Sequence, residues 1–128
     1  WELSSTGFLM TLTGYVPELI KENFKVLVDK ALTATGRKQE DISHWCIHPG
    51  GKKILDSITE SLQVITGTLG FSYAVLNEYG NMSSPTILFV LKRILDELEQ
   101  ENRVRPAVIF GAAFGPGITM ETFTASYE

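Results

Sequence analysis

Cysteine is nearly absent from this chain: Cys46 is the only one in 128 residues. A single thiol excludes an internal disulfide, and with it the cross-linked scaffold of a small secreted domain. It fits a reducing, cytoplasmic setting. Basic residues are also few. Eleven Lys and Arg stand against fifteen Asp and Glu, a formal net charge of −4, and they form no stripe, which argues against a nucleic-acid partner. No apolar run is long enough to span a bilayer, and the start lacks the charged and apolar blocks of a signal peptide, so no membrane partner is expected. There is no internal repeat and no low-complexity tract. The chain opens on Trp1 rather than Met and is expected to be a piece of something longer. What remains is the composition of one globular domain, 44% hydrophobic and 20% charged, with enough apolar residues for a real core.

The hydrophobic pattern alternates between the strand period and the helix period. Ser5 to Thr13 reads as extended. Val16-Pro17-Glu18 marks a helix start, with proline in the first turn and an acid to suit the dipole. Leu19, Ile20, Phe24, Leu27, Val28, Ala31 and Leu32 follow at steps of three and four, up to a stop near Gly36. Arg37 to Asp41 is a charged loop. Ser43 to Ile47 reads as a strand and Lys52 to Leu62 as a helix, with Ile54, Leu55, Ile58 and Leu62 on one face. Gln63 to Gly70 has no clear period. Phe71 to Tyr79 reads as a short helix, broken by Gly80 to Pro85. A longer helix runs from Pro85 to Glu101, with Ile87, Leu88, Leu91, Ile94, Leu95 and Leu98 apolar. Ala107 to Gly111 is a buried-strand pattern, Phe114 to Gly117 a tight turn, and Ile118 to Ser126 a final strand. The order β-α-β-α-α-α-β-β predicts an α/β fold with one mixed sheet of four or five strands and helices packed on it.

Two motifs carry chemistry. In Trp45-Cys46-Ile47-His48-Pro49-Gly50-Gly51, proline ends the strand because it has no N–H for a ladder. The two glycines then allow a tight turn bare of side chains. An imidazole is thereby placed at the C-terminal end of a strand, beside a helix start, where open α/β sheets form their crevices. Alone, such a histidine is an ordinary buried residue beside a βα turn. The second motif is Gly80-Asn81-Met82-Ser83-Ser84, at another helix start. Alone, Asn81 reads as an N-cap or turn residue. Together, a proton-exchanging His48 and an amide-donating Asn81 make a pair able to hold a carbonyl oxygen that becomes an oxyanion.

The pair lacks a nucleophile. Cys46 is two residues from His48 and shares its face of the strand, about 6–7 Å away, outside the ~3 Å reach of direct proton transfer. Nothing cationic or helical activates it. It reads as a small buried hydrophobe.

Three segments in order resemble the C-terminal half of the type III polyketide synthases, the chalcone and stilbene synthase enzymes of the thiolase superfamily. They are His48-Pro49-Gly50-Gly51, Glu78-Tyr79-Gly80-Asn81-Met82-Ser83-Ser84 and Phe114-Gly115-Pro116-Gly117. Val16-Pro17-Glu18-Leu19-Ile20 matches the family's helix at that place, and the resemblance runs from about Phe8 to Tyr127. It implies one domain over residues 1–128, the C-terminal half of a thiolase-like fold. It implies a Cys-His-Asn triad of which His48 and Asn81 fill two places, with the cysteine on an N-terminal half absent here. Pro49, Gly50, Gly51, Gly80, Ser83, Phe114, Gly115, Pro116 and Gly117 then surround and shape the substrate cavity. Met10 stands roughly where the family often has an aromatic gate. The surroundings of Lys52 and Lys53 are the part of this chain able to contribute to the CoA tunnel.

The chemistry implied is decarboxylative Claisen condensation of a starter acyl-CoA with malonyl-CoA. CoA thioesters serve as substrates, with no cofactor and no metal, in a homodimer that includes the N-terminal half. This chain alone is expected to be inactive. Two other classes stay open: a ketoacyl synthase III-like condensing domain working with acyl carrier protein, and a non-catalytic module binding acyl-CoA or a partner. The Pro-Gly-Gly turn favours the first reading over the ketoacyl synthase.

Overall fold

Alternation along one short strand organises the molecule. The computed structural model describes residues 2–5, 7–9, 14–65, 67–115 and 119–128. In β3 (His44–Ile47), Trp45 and Ile47 turn to one face and Cys46 to the other, as the two-residue period requires. Each face meets its own pair of helices. Trp45 and Ile47 pack with α1 (Val16–Ala34) and α2 (Lys52–Leu62), through Ile20, Phe24, Val28, Leu32, Leu55, Ile58 and Leu62. Cys46 packs with α3 (Gly70–Tyr79) and α4 (Thr86–Gln100), through Val75, Val90, Ile94 and Leu98. The sheet is thus the middle of three layers.

β3 pairs in parallel with β4 (Ala107–Gly115), and β4 pairs antiparallel with β5 (Thr119–Tyr127). The sheet order is β3-β4-β5. β4 is central and its residues also alternate: Phe110 and Ala112 join the α1/α2 side, Ala107 and Ile109 the α3/α4 side. Gly111 is demanded by its cross-strand partner, because a Cβ there would fall about 2.0 Å from the Phe123 ring.

The expectation of four or five strands in one sheet is corrected. Among the described residues the main sheet has three strands. Among the described residues two further strands, β1 (Glu2–Ser4) and β2 (Gly7–Leu9), pair with each other, in register Glu2↔Leu9. A tight local hairpin satisfies its own ladder at little entropic cost and needs no longer-range partner. Met10 lies outside the described residues. The strand pattern from Ala107 also runs further than Gly111. Phe114 and Gly115 are the last two residues of β4, not a turn, since β5 offers them ladder partners in Met120 and Thr119.

The helices fall within two residues of their expected ends. α1 buries a strict four-residue series, Ile20, Phe24, Val28 and Leu32, and leaves Leu27 exposed. Between α2 and α3 the segment without a period is a connection. Val64 packs partly against the core, Leu69 is buried and Ile65 is open to solvent. No helix among the described residues is long and apolar enough to cross a membrane.

Candidate active site

His48 continues β3 by one residue. Its N–H donates to the Ala112 carbonyl at 2.9 Å, so the imidazole leaves the sheet beside the end of β4, where Phe114 and Gly115 lie. Pro49 is buried and stops the strand. The Gly50 N–H returns to the His48 carbonyl at 3.0 Å, and Gly51 caps α2 with its carbonyl, which accepts from Leu55. Gly50 lies against the imidazole. A Cβ on it would stand 3.8 Å from His48 Cδ2 and 4.0 Å from Nε2, and only 3.3 Å from Ile54 Cδ1. At Gly51 the same addition meets nothing within 4 Å, so that side of the turn opens outward.

Asn81 reaches this turn from the α3–α4 connection. Its Nδ2 donates to the Gly50 carbonyl at 3.1 Å, and its Oδ1 accepts the Ser83 N–H at 2.9 Å. The side chain is therefore held at both ends. Gly80 (φ 71°) closes α3 in the left-handed region, where glycine carries no Cβ penalty, and Ser83 also has positive φ, at 67°. Thr86 fixes the next turn: its hydroxyl accepts from the Met82 N–H at 2.8 Å and donates to the Ser83 carbonyl at 2.7 Å. Asn81 is thus an Asx-turn residue five positions before α4, not its N-cap. One amide hydrogen is used on Gly50, and the second has no protein partner among the described residues. The same is true of both imidazole nitrogens of His48. Burial lowers the His48 pKa from its ordinary value of 6.5, which favours a neutral ring with one N–H to donate.

The sequence-predicted residues are partly brought together. His48, Gly50, Gly51 and Asn81 form one cluster, with Pro49 beneath it and Gly80 and Ser83 shaping the loop that delivers Asn81. Phe114 is half-buried and its ring packs on Phe24 of α1, with centroids 5.7 Å apart, so it also serves the core. Gly115 faces the Thr119 hydroxyl, 2.7 Å from where a Cβ would be. Pro116 and Gly117 lie outside the described residues. A cavity of about 180 Å³ lies beside Phe114, lined by Leu19, Ile20, Asn23, Phe24 and Leu27. A larger one of about 500 Å³ lies at the far end of the sheet, around Arg103, Arg105 and Tyr127. Neither is lined by His48 or Asn81.

With this geometry in view, the relatives are informative. The family model for chalcone and stilbene synthases, C-terminal domain, matches residues 1–126. The chain belongs to the chalcone and stilbene synthase family. Type III polyketide synthase C of Arabidopsis thaliana is 33% identical over 123 residues, which is 94% of this chain and 32% of that protein. The 3,5-dihydroxyphenylacetyl-CoA synthase of Amycolatopsis orientalis is 32% identical over 123 residues, with the same coverage. The crystal structure of 1,3,6,8-tetrahydroxynaphthalene synthase from Streptomyces coelicolor A3(2), a bacterial type III polyketide synthase, superposes with a TM-score of 0.86 at 31% identity. It covers 99% of this chain and 35% of that one. The chain spans about a third of the length of the curated relatives it matches. The fold is that of the C-terminal part of a type III polyketide synthase, thiolase-like, with a mixed sheet between helices.

Against this family background, Cys46 can be placed. It is fully buried, its thiol contacts the Ile87 carbonyl at 3.7 Å, and burial pushes its pKa up to about 12. A neutral thiol without access is inert toward electrophiles. We expect Cys46 to resist iodoacetamide at pH 7.5 in the folded chain and to react only in denaturant. Rapid acylation by an acyl-CoA, seen as added mass on Cys46, would contradict this placement. Among the described residues no group of three His, Cys, Asp or Glu could hold a metal ion.

Two supporting residues escaped the sequence reading. Tyr73 donates to Asp56 at 2.6 Å and ties α3 to α2, while Lys52 holds the other carboxylate oxygen at 2.8 Å. Ser72 is completely buried and donates to the Ile47 carbonyl at 2.7 Å. Its signal was visible: Ser72 sits at helical spacing between Leu69 and Val75, a polar residue within an apolar stripe.

Proposed function

We propose that this domain supplies the two oxyanion donors of an acyltransferase that condenses a starter acyl-CoA with malonyl-CoA. The observation that carries the reading is the Asn81 amide bonded to Gly50, the residue against which the His48 ring lies. Two unengaged N–H donors are thereby brought to one βα turn. In the proposed step, malonyl-CoA loses carbon dioxide and the electron pair of the broken C–C bond moves onto the thioester oxygen. His48 and Asn81 donate to that oxygen and so lower the cost of the enolate. The enolate carbon then attacks an acyl thioester on a cysteine outside this chain. A C–C bond forms, the C–S bond breaks, and the cysteine thiolate leaves. Substrates are CoA thioesters and no cofactor is required. Lys52 and Lys53, exposed at the start of α2, stand where a CoA phosphate could be met. The setting is cytoplasmic.

The test is turnover by the complete enzyme. Malonyl-CoA with an acyl-CoA starter is expected to release carbon dioxide, free CoA and a product longer by two-carbon units. Turnover of malonyl-acyl carrier protein alone would favour a ketoacyl synthase III-like enzyme. Binding of acyl-CoA with no carbon dioxide released would leave only a binding module.

We further propose that the remaining length of the enzyme covers an apolar face of this domain. Leu88 is 62% exposed on α4, with Phe89 beside it in contact with Tyr79 at 5.1 Å. Ile87 and Leu91 on the same helix are half-buried against the α3/α4 core, and Phe114 is half-buried against α1. Large contiguous apolar patches are uncommon on monomers. The 128-residue chain alone is therefore expected to self-associate, as a two-fold pair, and Leu88→Lys with Phe89→Ser to weaken the pairing. Light scattering showing a clean monomer at micromolar concentration would sink this proposal. The complete enzyme is proposed to be a homodimer.

A further inference from the structure

One peptide group of the sheet is gripped from both of its edges, and it is the one that launches His48. In a trans peptide the C=O of one residue and the N–H of the next point in opposite directions. The His48 N–H points into the sheet and donates to the Ala112 carbonyl of β4. The Ile47 carbonyl of the same peptide therefore points away from β4, toward α3. There it accepts the Ser72 hydroxyl at 2.7 Å. Without Ser72 that carbonyl, on a residue that is itself completely buried, has no other partner among the described residues.

We propose that Ser72 is a positioning residue for His48: its hydroxyl, together with the Ala112 carbonyl, fixes the Ile47–His48 peptide plane and thereby the direction of the imidazole. This rests on the role given to His48 above. The plane sets the start of the His48 backbone torsion, and the next residue, Pro49, removes freedom on the other side by restricting the residue before it. Held at both ends, His48 has little room to swing. Ser72 never touches substrate, and α3 carries it from one end of the same helix whose other end, at Gly80, delivers Asn81. One helix thus orients both proposed donors, the histidine through a hydroxyl and the asparagine through its C-terminal loop.

The chain has only two histidines, so the imidazole signals of His48 and His44 are assigned by one His48→Gln spectrum. Ser72→Ala is expected to move the His48 ring signals and its titration midpoint while leaving those of His44 in place, which also reports that the fold persists. In the complete enzyme, Ser72→Ala is expected to lower kcat for malonyl-CoA decarboxylation roughly 10- to 100-fold, the scale of a misplaced catalytic group, with KM within about twofold, a ceiling chosen so that the loss reads as one of orientation rather than of binding. Ser72→Thr, which keeps the hydroxyl, is expected to recover most of both readouts. Unchanged His48 signals and kcat in Ser72→Ala would overturn the proposal. So would equal loss in Ser72→Ala and Ser72→Thr with His44 shifting as well, because that marks general loosening of α3. If His48→Gln itself leaves decarboxylation unchanged while Ser72→Ala still moves the ring, the function assigned to His48 fails and the positioning geometry stands.

Discussion

In the complete enzyme, His48→Ala and Asn81→Ala are each expected to slow malonyl-CoA decarboxylation by roughly 10²- to 10³-fold, the usual loss when one oxyanion donor is removed. The size follows from where the donors sit. The imidazole is half-buried at the end of a strand, and the amide is fixed by bonds to Gly50 and Ser83. In the proposed role, the amide is thus already held in place when charge develops on the substrate oxygen. Alanine at 81 also removes both tethers of the loop, so a loss there has two readings. Asn81→Asp narrows them. It keeps an oxygen to accept from the Ser83 N–H but has no N–H for the Gly50 carbonyl or for substrate, so a role through the Ser83 tether alone predicts near-normal rates and a role through the amide N–H groups predicts a loss as large as alanine's. The double variant is expected to lose less than the product of the single losses, as groups acting on one charge do. Carbon dioxide release from labelled malonyl-CoA reads all of these. Rates within threefold of the parent in both alanine variants, a limit far inside the loss of one donor, would remove the pair from the mechanism.

How much of this was legible in the chain depends on how local the cause was. The helices were readable because their apolar spacing and their stop signals are local. β3 and its turn were readable because proline and two glycines leave few alternatives after a short apolar run. The end of β4 was not. Gly115-Pro116-Gly117 signals a turn, and Phe114 directly precedes it. What holds Phe114 and Gly115 in the strand is the ladder to Met120 and Thr119, a pairing that local sequence does not announce. The main sheet came out smaller than expected for a related reason, since whether two short strands join a sheet or pair with each other is decided by their neighbours. In α4 the pattern was apolar on more than one side. Sequence alone counts Leu88 with the core, whereas packing selects the Thr86, Val90, Ile94 and Leu98 row and leaves Leu88 outside.

The candidate site divides the same way. His48 and Asn81 could be named from their motifs, and their chemistry follows from residue type. The contact that joins them through the Gly50 carbonyl spans 31 residues and has no local signature. Ser72 shows in the sequence as a polar residue within an apolar stripe, but its acceptor does not. A serine inside a helix is usually solvated or bonded to its own backbone, and here its acceptor lies 25 residues earlier on a strand. Site residues were legible where the chemistry is in the side chain, and hidden where the side chain serves another residue's backbone.

The largest loss of stability from a single truncation is expected at Phe110. It is completely buried on the central strand β4, packs its ring against Trp45 of β3 at 5.4 Å, and belongs to the cluster built on α1 and α2. Phe110→Ala removes that ring from between two strands and two helices, and a paired strand on each side prevents the backbone from collapsing into the space. Such a substitution costs about 3–5 kcal/mol, a large part of the roughly 5–15 kcal/mol that holds a domain of this size together. The measurement is urea unfolding of the 128-residue chain, where a lower midpoint at unchanged slope reports stability alone. Leu88→Ala on the exposed row of α4 should stay within about 0.5 kcal/mol, as surface changes do, and serves as the control. Phe110→Leu should fall between them and keep β3 in register. Because Trp45 lies three residues before His48, the truncation should also broaden the His48 ring signals before the midpoint of unfolding is reached. A Phe110→Ala chain that unfolds within 1 kcal/mol of its parent, well short of the buried-ring cost, would mean that the α1/α2 layer does not depend on the central strand. It would also mean that the β3–β4 pairing that carries the His48 peptide holds without this ring.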